Sequence, residues 1–167
     1  PYINMFEEVL EYYNNQDIYF AVEIKGSHNL NLNEKMEFTK NLNTIISKHY
    51  FVNKCHVFSI DYSFLDMLKK NNSEIKIGII STALLSDPVS LMTKHDAEIY
   101  LAYLKNLSPE IITELHNHNY YVSCSVVNDI DAVKTAIGWG VDMLDTDFPG
   151  KICGYVNNLH LREGKVK

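Results

Sequence analysis

Residues 120–149 read YYVSCSVVNDIDAVKTAIGWGVDMLDTDFP, and this stretch decides the fold. Tyr120–Val127 is a run of aromatic and β-branched residues, the composition of a strand. Asp129 stands as a helix N-cap, and the helix it opens reaches Ile137, where Gly138 and Gly140 stop it. Met143–Thr146 is a second strand, closed by Phe148-Pro149-Gly150. Two strands bridged by a helix form a βαβ unit, whose strands run parallel and whose crossover is right-handed.

The same beat extends upstream. Strands are expected near 18–24, 56–60, 75–80 and 99–103, six in all with the two above. Helical periodicity marks Asn4–Asn14, with Phe6, Val9, Leu10 and Tyr13 on one face, and Asn33–Lys48, with Phe38, Leu42, Ile45 and Ile46. A short helix around Ser63–Lys69 carries Phe64, Leu65 and Leu68. Asp87-Pro88 and Ser108-Pro109 open two more, each a cap followed by proline in the first turn. The tail from Lys151 to Lys167 reads as loop or a terminal helix turn. No Pro/Ser-rich linker divides the chain, so residues 1–167 are read as one α/β domain. No GxGxxG follows any strand, against a dinucleotide fold. An open doubly wound sheet and a barrel both produce this beat. Read as a (β/α)8 barrel, which usually needs about 250 residues, six βα units in 167 residues would be an incomplete TIM-type barrel, short by roughly two units. Pro1, standing before a helical pattern without Met, suggests a piece of something longer.

Composition narrows the function. Usage of 46% hydrophobic and 22% charged residues is ordinary for a globular chain. A net charge of −6 argues against a nucleic-acid surface, which needs clustered positive charge. No apolar run has the length of a membrane span. Three cysteines with no close pair fit neither a disulfide framework nor a CxxC metal site, so a reducing, cytoplasmic setting is the default.

Several residues resist a bland core reading. Glu23 and Lys25, two apart in Tyr19–Gly26, share one face at the C-terminal end of a strand, the edge where barrel enzymes assemble their sites. A strand-end ion pair is the plain alternative. Ser59-Ile60-Asp61 ends the next strand in polar residues, with Asp61 favoured as a helix cap. Asp145 and Asp147 fall on one side by period two, suited to a cation or an acid–base pair, although turn capping explains at least one of them. His28 lies on the same edge as Lys25. His116 and His118 sit at a helix end, where surface roles are expected. His95-Asp96 reads as loop, and Cys124 as core.

Three segments in order resemble the glycerophosphodiester phosphodiesterase family, which consists of metal-dependent TIM barrels. Val22-Glu23-Ile24-Lys25 resembles the family's "EIK" strand. Val57-Phe58-Ser59-Ile60-Asp61 with Leu65 and Leu68 resembles "SFD…L..L", followed by an "IPIGLL"-like strand at Ile75–Ile80. Gly140–Pro149 resembles the closing "GVDGIITDFP", and Pro1 with Phe6–Leu10 resembles the "IPTLEEVL" helix. The resemblance implies a chain covering barrel strands three to eight, with the first two absent. It makes Glu23 a metal ligand for Ca²⁺ or Mg²⁺ and Lys25 the contact to substrate phosphate. Ser59 and Ser125 join Lys25 as substrate-binding candidates. The family's catalytic histidines, in "HRG" and "HD" motifs, and its "E-x-D" carboxylates have no counterpart here, so no catalytic residue is assigned and the chain alone is expected to be inactive. Its "WTVN" is Cys124-Ser125-Val126-Val127 in this sequence, which removes an aromatic wall.

The implied activity is hydrolysis of a glycerophosphodiester to glycerol phosphate and an alcohol. The expected partners are a small phosphodiester, and either a second copy or the missing N-terminal segment, which could also anchor or export the parent. Two other readings stay open at this point. One is a non-catalytic barrel remnant that serves as an interaction module. The other is a phosphate-binding aldolase or lyase using Lys25 as a Schiff-base lysine.

Overall fold

The computed structural model describes residues 2–163, so the reading of Pro1 lies outside the described residues, as does the side chain of His28. The chain forms two compact units. One runs to Ile80 and includes Thr93–Glu98, and the other comprises Ser81–Met92 and the residues from Ile99.

In the first unit, α1 (Phe6–Tyr13) precedes β1 (Phe20–Glu23), α2 (Leu32–Lys48), β2 (Cys55–Ser59), α3 (Tyr62–Asn71) and β3 (Lys76–Ser81, whose last residue falls in the second unit). The strands are parallel, with Val22 beside Val57 and Glu23 beside Phe58, then Val57 beside Ile77 and Phe58 beside Gly78. Period two therefore splits the sheet. Val22, Val57 and Ile77 share one face, and the last two are fully buried. Glu23, Phe58 and Gly78 share the other.

Helix α2 starts with a capping box, in which Asn31 accepts from the Glu34 N–H and Glu34 accepts from the Asn31 N–H. Its buried stripe is Thr39, Leu42 and Ile46. Phe38, placed on that stripe by periodicity, is instead exposed, with its ring edge-on to Phe64 at 5.5 Å. Helix α3 buries Phe64, Leu65 and Leu68, as its spacing predicts.

The second unit holds α4 (Pro88–Lys94, shared with the first at its end), β4 (Ile99–Tyr103), α5 (Pro109–Asn117), β5 (Tyr121–Ser125), α6 (Ile130–Trp139), β6 (Met143–Leu144) and α7 (Pro149–Glu163). Its strands are parallel too, with Ala102 beside Cys124 and Cys124 beside Leu144. The expected caps are present. Ser108 accepts from the Ile111 N–H, Asp129 accepts from those of Asp131 and Ala132, and Gly140 closes α6 at φ +90°, a conformation suited to glycine. The tail differs from expectation. Pro149–Glu163 is a 15-residue helix, because Pro149 supplies a favourable first-turn residue and Ile152 has a buried site to fill. Residues 164–167 of that reading lie outside the described residues.

Burial pushes the Cys55 thiol up to about 12, and burial with the nearby Asp145 charge pushes Cys124 up to about 11. Cys153 is exposed. Iodoacetamide at pH 8 is expected to label Cys153 alone in the native chain and all three thiols in denaturant. Equal native labelling of two sites, read by mass spectrometry, would contradict this burial.

Candidate functional site

The first unit brings Glu23 and Lys25 together. Lys25 Nζ lies 3.2 Å from Glu23 Oε2 at the C-terminal end of β1, on the face opposite Val22 and Val57. The carboxylate is 43% exposed and the ammonium 78%. An ion pair this open contributes about 0–1 kcal/mol, so little holds the ammonium to the carboxylate if a phosphate oxygen competes for it. Lys25 stands beyond the last β1 residue, and its exposure denies it the desolvation that activates a Schiff-base lysine.

Ser59 ends β2 and is fully buried. Its hydroxyl donates to the Ile24 carbonyl at 3.0 Å and accepts from the Asp61 N–H at 3.0 Å. Asp61 caps α3 by accepting from the Phe64 N–H, as expected, and does more. Its carboxylate also accepts from Lys35 Nζ at 2.5 Å, Ser27 Oγ at 3.0 Å and Ser63 Oγ at 2.6 Å. Burial alone would raise this carboxyl, but the bonds from Lys35, Ser63, Ser27 and the Phe64 N–H outweigh it and hold it well below the carboxylate range. Sequence reasoning missed Lys35 and Ser27, because nothing in their local spacing points across to Asp61.

In the second unit Ser125 is buried at the end of β5 and donates to Asp145 Oδ2 at 2.8 Å. Asp147 accepts instead from Asn128 Nδ2 at 2.8 Å. The two aspartates thus serve separate turn contacts. His116 pairs with Asp142 at 2.9 Å at the exposed end of α5. His95 is buried, with Nδ1 2.7 Å from Asp66 and its ring beside Tyr62. It does not pair with its sequence neighbour Asp96, which meets Lys69.

As a cation ligand Glu23 fits in kind. An accessible carboxylate at a strand end is the hard oxygen donor that Ca²⁺ and Mg²⁺ prefer, although it is one donor where such ions need several. Among the described residues, Glu7, Glu11 and His49 also bring ligand atoms within 4.8 Å of one another. There Lys48 Nζ sits 2.6 Å from Glu7, so an ammonium already supplies the positive charge. The bonds from Lys48 and His49 lower the Glu7 carboxyl. Among the described residues, no helix is long and apolar enough to cross a membrane.

The structure is similar to solved glycerophosphodiester phosphodiesterases. A Silicibacter pomeroyi protein assigned to that activity aligns with TM-score 0.83 and 17% identity, over 93% of this chain and 56% of its own. An Oleispira antarctica phosphodiesterase in complex with the product sn-glycerol-3-phosphate aligns with TM-score 0.78 and 18% identity, over 90% of this chain and 58% of its own. A glycerophosphodiester phosphodiesterase from Parabacteroides distasonis aligns with TM-score 0.80 and 11% identity, over 92% and 64%. The likeness shows the fold, an incomplete TIM-type barrel of six parallel βα units. The chain spans 56–64% of the length of these structures. None of the curated proteins matches the sequence. The profile of the Glycerophosphoryl diester phosphodiesterase family matches residues 1–151, and the chain belongs to that family.

Proposed function

We propose that this chain is the C-terminal portion, one domain over residues 1–167, of a metal-dependent enzyme that hydrolyses glycerophosphodiesters to glycerol phosphate and an alcohol. The observation that carries the reading is the Glu23–Lys25 pair, an accessible acid and an accessible ammonium at the C-terminal end of one strand, the end at which barrel enzymes place their chemistry.

Glu23 offers a carboxylate oxygen to a Ca²⁺ or Mg²⁺ ion. When bound, such an ion polarises a phosphoryl oxygen and stabilises the charge that develops on it. Lys25 leaves its weak contact with Glu23 and places its ammonium against the phosphate. Water adds to phosphorus, the P–O bond to the alcohol breaks, and the alcohol leaves with a proton. Those proton transfers are worth about 10²–10⁴-fold each and belong to two histidines that the family resemblance places outside this sequence. Ser59 supports the site from the end of β2, and Ser125, at the end of β5 in the second unit, stays a substrate-binding candidate. Full assembly needs the segment that carries the first two strands, or pairing with a second copy.

With a glycerophosphodiester and either metal, the 167-residue chain is expected to release no glycerol phosphate above background in a coupled enzymatic assay. Calorimetry is expected to show weak Ca²⁺ or Mg²⁺ binding that Glu23→Gln abolishes. Robust turnover by the bare chain, or metal binding indifferent to Glu23→Gln, would refute this placement of the site.

A further inference from the structure

The loop between β1 and α2 carries Lys25 and is tied down from β2. The Ile24 N–H donates to the Phe58 carbonyl at 2.8 Å, and Ser59 Oγ donates to the Ile24 carbonyl at 3.0 Å. Gly26 then turns the chain at φ +75°, a conformation that favours glycine. A short 3-10 turn follows at Ser27–Asn29, with the Asn29 N–H on the Gly26 carbonyl and the Leu30 N–H on the Ser27 carbonyl. Asp61 closes the arrangement. One of its oxygens receives Ser27 Oγ and Lys35 Nζ, and the other receives Ser63 Oγ and the Phe64 N–H.

The extent of this network exceeds what a helix cap needs. A cap requires one side-chain oxygen for one or two N–H groups, a task that Ser, Thr or Asn performs about as well as Asp. Asp61 instead spends a whole oxygen on the β1–α2 segment, and the Lys35–Asp61 pair is only 14% and 11% exposed. Placing two charges out of water is costly unless the geometry supplies further hydrogen bonds, and here Ser27 and Ser63 do so. Ser63 Oγ also lies 3.2 Å from Lys35 Nζ, so the hydroxyl, the ammonium and the carboxylate close a ring.

We infer that Asp61, with Ser27, Lys35 and Ser59, is a positioning set that fixes the 24–30 loop and thereby the direction in which Lys25 leaves β1 beside Glu23. Their part in the clamp is to hold the loop, through the hydrogen bonds among Ser27, Lys35, Ser59 and Asp61 and the bond from Ser59 to the Ile24 carbonyl. What the Glu23–Lys25 pair binds rests on the function proposed above, whereas the clamp itself rests only on these hydrogen bonds.

The experiment uses the ¹⁵N-labelled 167-residue chain, together with Asp61→Asn and Ser27→Ala. Amide exchange is followed at Ile24, Asn29 and Leu30, with Val57 and Ile77 as references in β2 and β3. In parallel, glycerol 3-phosphate is titrated with Mg²⁺ while the Lys25 and Gly26 amide shifts are monitored. Asp61→Asn is expected to speed exchange at 24–30 about tenfold while the references change less than twofold, and to raise the half-saturating glycerol 3-phosphate about fivefold. Ser27→Ala is expected to move both readouts the same way by a smaller factor.

Equal acceleration at the references would mean that Asp61 serves stability alone, and would overturn the proposal. If Asp61→Asn fails to fold, Ser27→Ala decides, and an unchanged 24–30 loop in that variant overturns the clamp. Should the loop loosen as expected while glycerol 3-phosphate leaves wild-type Lys25 unmoved, the clamp stands and the proposed function falls. A wild-type response that Asp61→Asn does not weaken overturns the clamp and leaves the function intact.

Discussion

Gly78→Ala is expected to destabilise the chain by about 2–3 kcal/mol, a large effect for one methyl group. A Cβ built on Gly78 falls 2.0, 2.3 and 2.7 Å from three atoms of the Phe58 ring. That ring is itself buried on β2, directly beside Gly78 in the parallel register. The ring cannot move aside cheaply in a close-packed interior. Phe58→Ala alone should cost about 3–5 kcal/mol through the cavity it leaves. In the double variant the new methyl group meets empty space, so the two costs should fall short of their sum by more than about 1 kcal/mol. Urea denaturation of the four proteins measures this coupling, and strict additivity would show that Gly78 is not there to admit the ring.

Lys35→Met is expected to cost about 2–3 kcal/mol, at or below the low end for breaking a buried pair by removing one partner, because this pair is only part-buried. Methionine keeps much of the side-chain volume but leaves the Asp61 carboxylate without its cation. The pH dependence gives a second reading. The folded-state carboxyl lies below its unfolded value, so in acid the unfolded chain takes the proton first. The stability that Asp61 contributes is therefore fully present above the unfolded value of about 3.9 and is lost as the pH falls from there. Lys35→Met removes the side-chain bond that lowers this carboxyl most, so the variant should lose less stability between pH 5 and pH 3 than wild type. Thermal melts across that range check this, and parallel pH profiles for the two proteins would refute it.

Much of the fold could be read from local chemistry. Caps at Asp61, Ser108 and Asp129 and the stop at Gly140 are written in single residues, and the structure places a helix boundary at each. All six strands lie where the βα beat puts them, and three of them, β1, β5 and β6, are shorter. Tyr120–Val127 contracts to Tyr121–Ser125, and Met143–Thr146 to Met143–Leu144. β propensity extends past the point where a partner strand stops supplying hydrogen bonds, so sequence alone lengthens strands. Helix α7 was illegible for a related reason. Two glycines and a polar composition hide a segment whose helicity depends on burying Ile152.

The site divides in the same way. The juxtaposition of Glu23 and Lys25 follows from period two and is visible at once. The Asp61 network joins residues 26 and 34 positions apart, and no periodicity reports a contact at that distance. The roles of Ser59 and Ser125 were likewise hidden. Both are buried and donate within the protein, Ser59 to the Ile24 carbonyl and Ser125 to Asp145, partners that no sequence spacing reports.

Strand β6 is two residues long and pairs with β5. Long, flat borders of a sheet recruit foreign chains because they offer a row of unsatisfied amide and carbonyl groups. A border this brief presents almost no such row, so another polypeptide laid along it would have to be chosen by its side chains. Misassembly into fibrils by backbone templating is correspondingly disfavoured there.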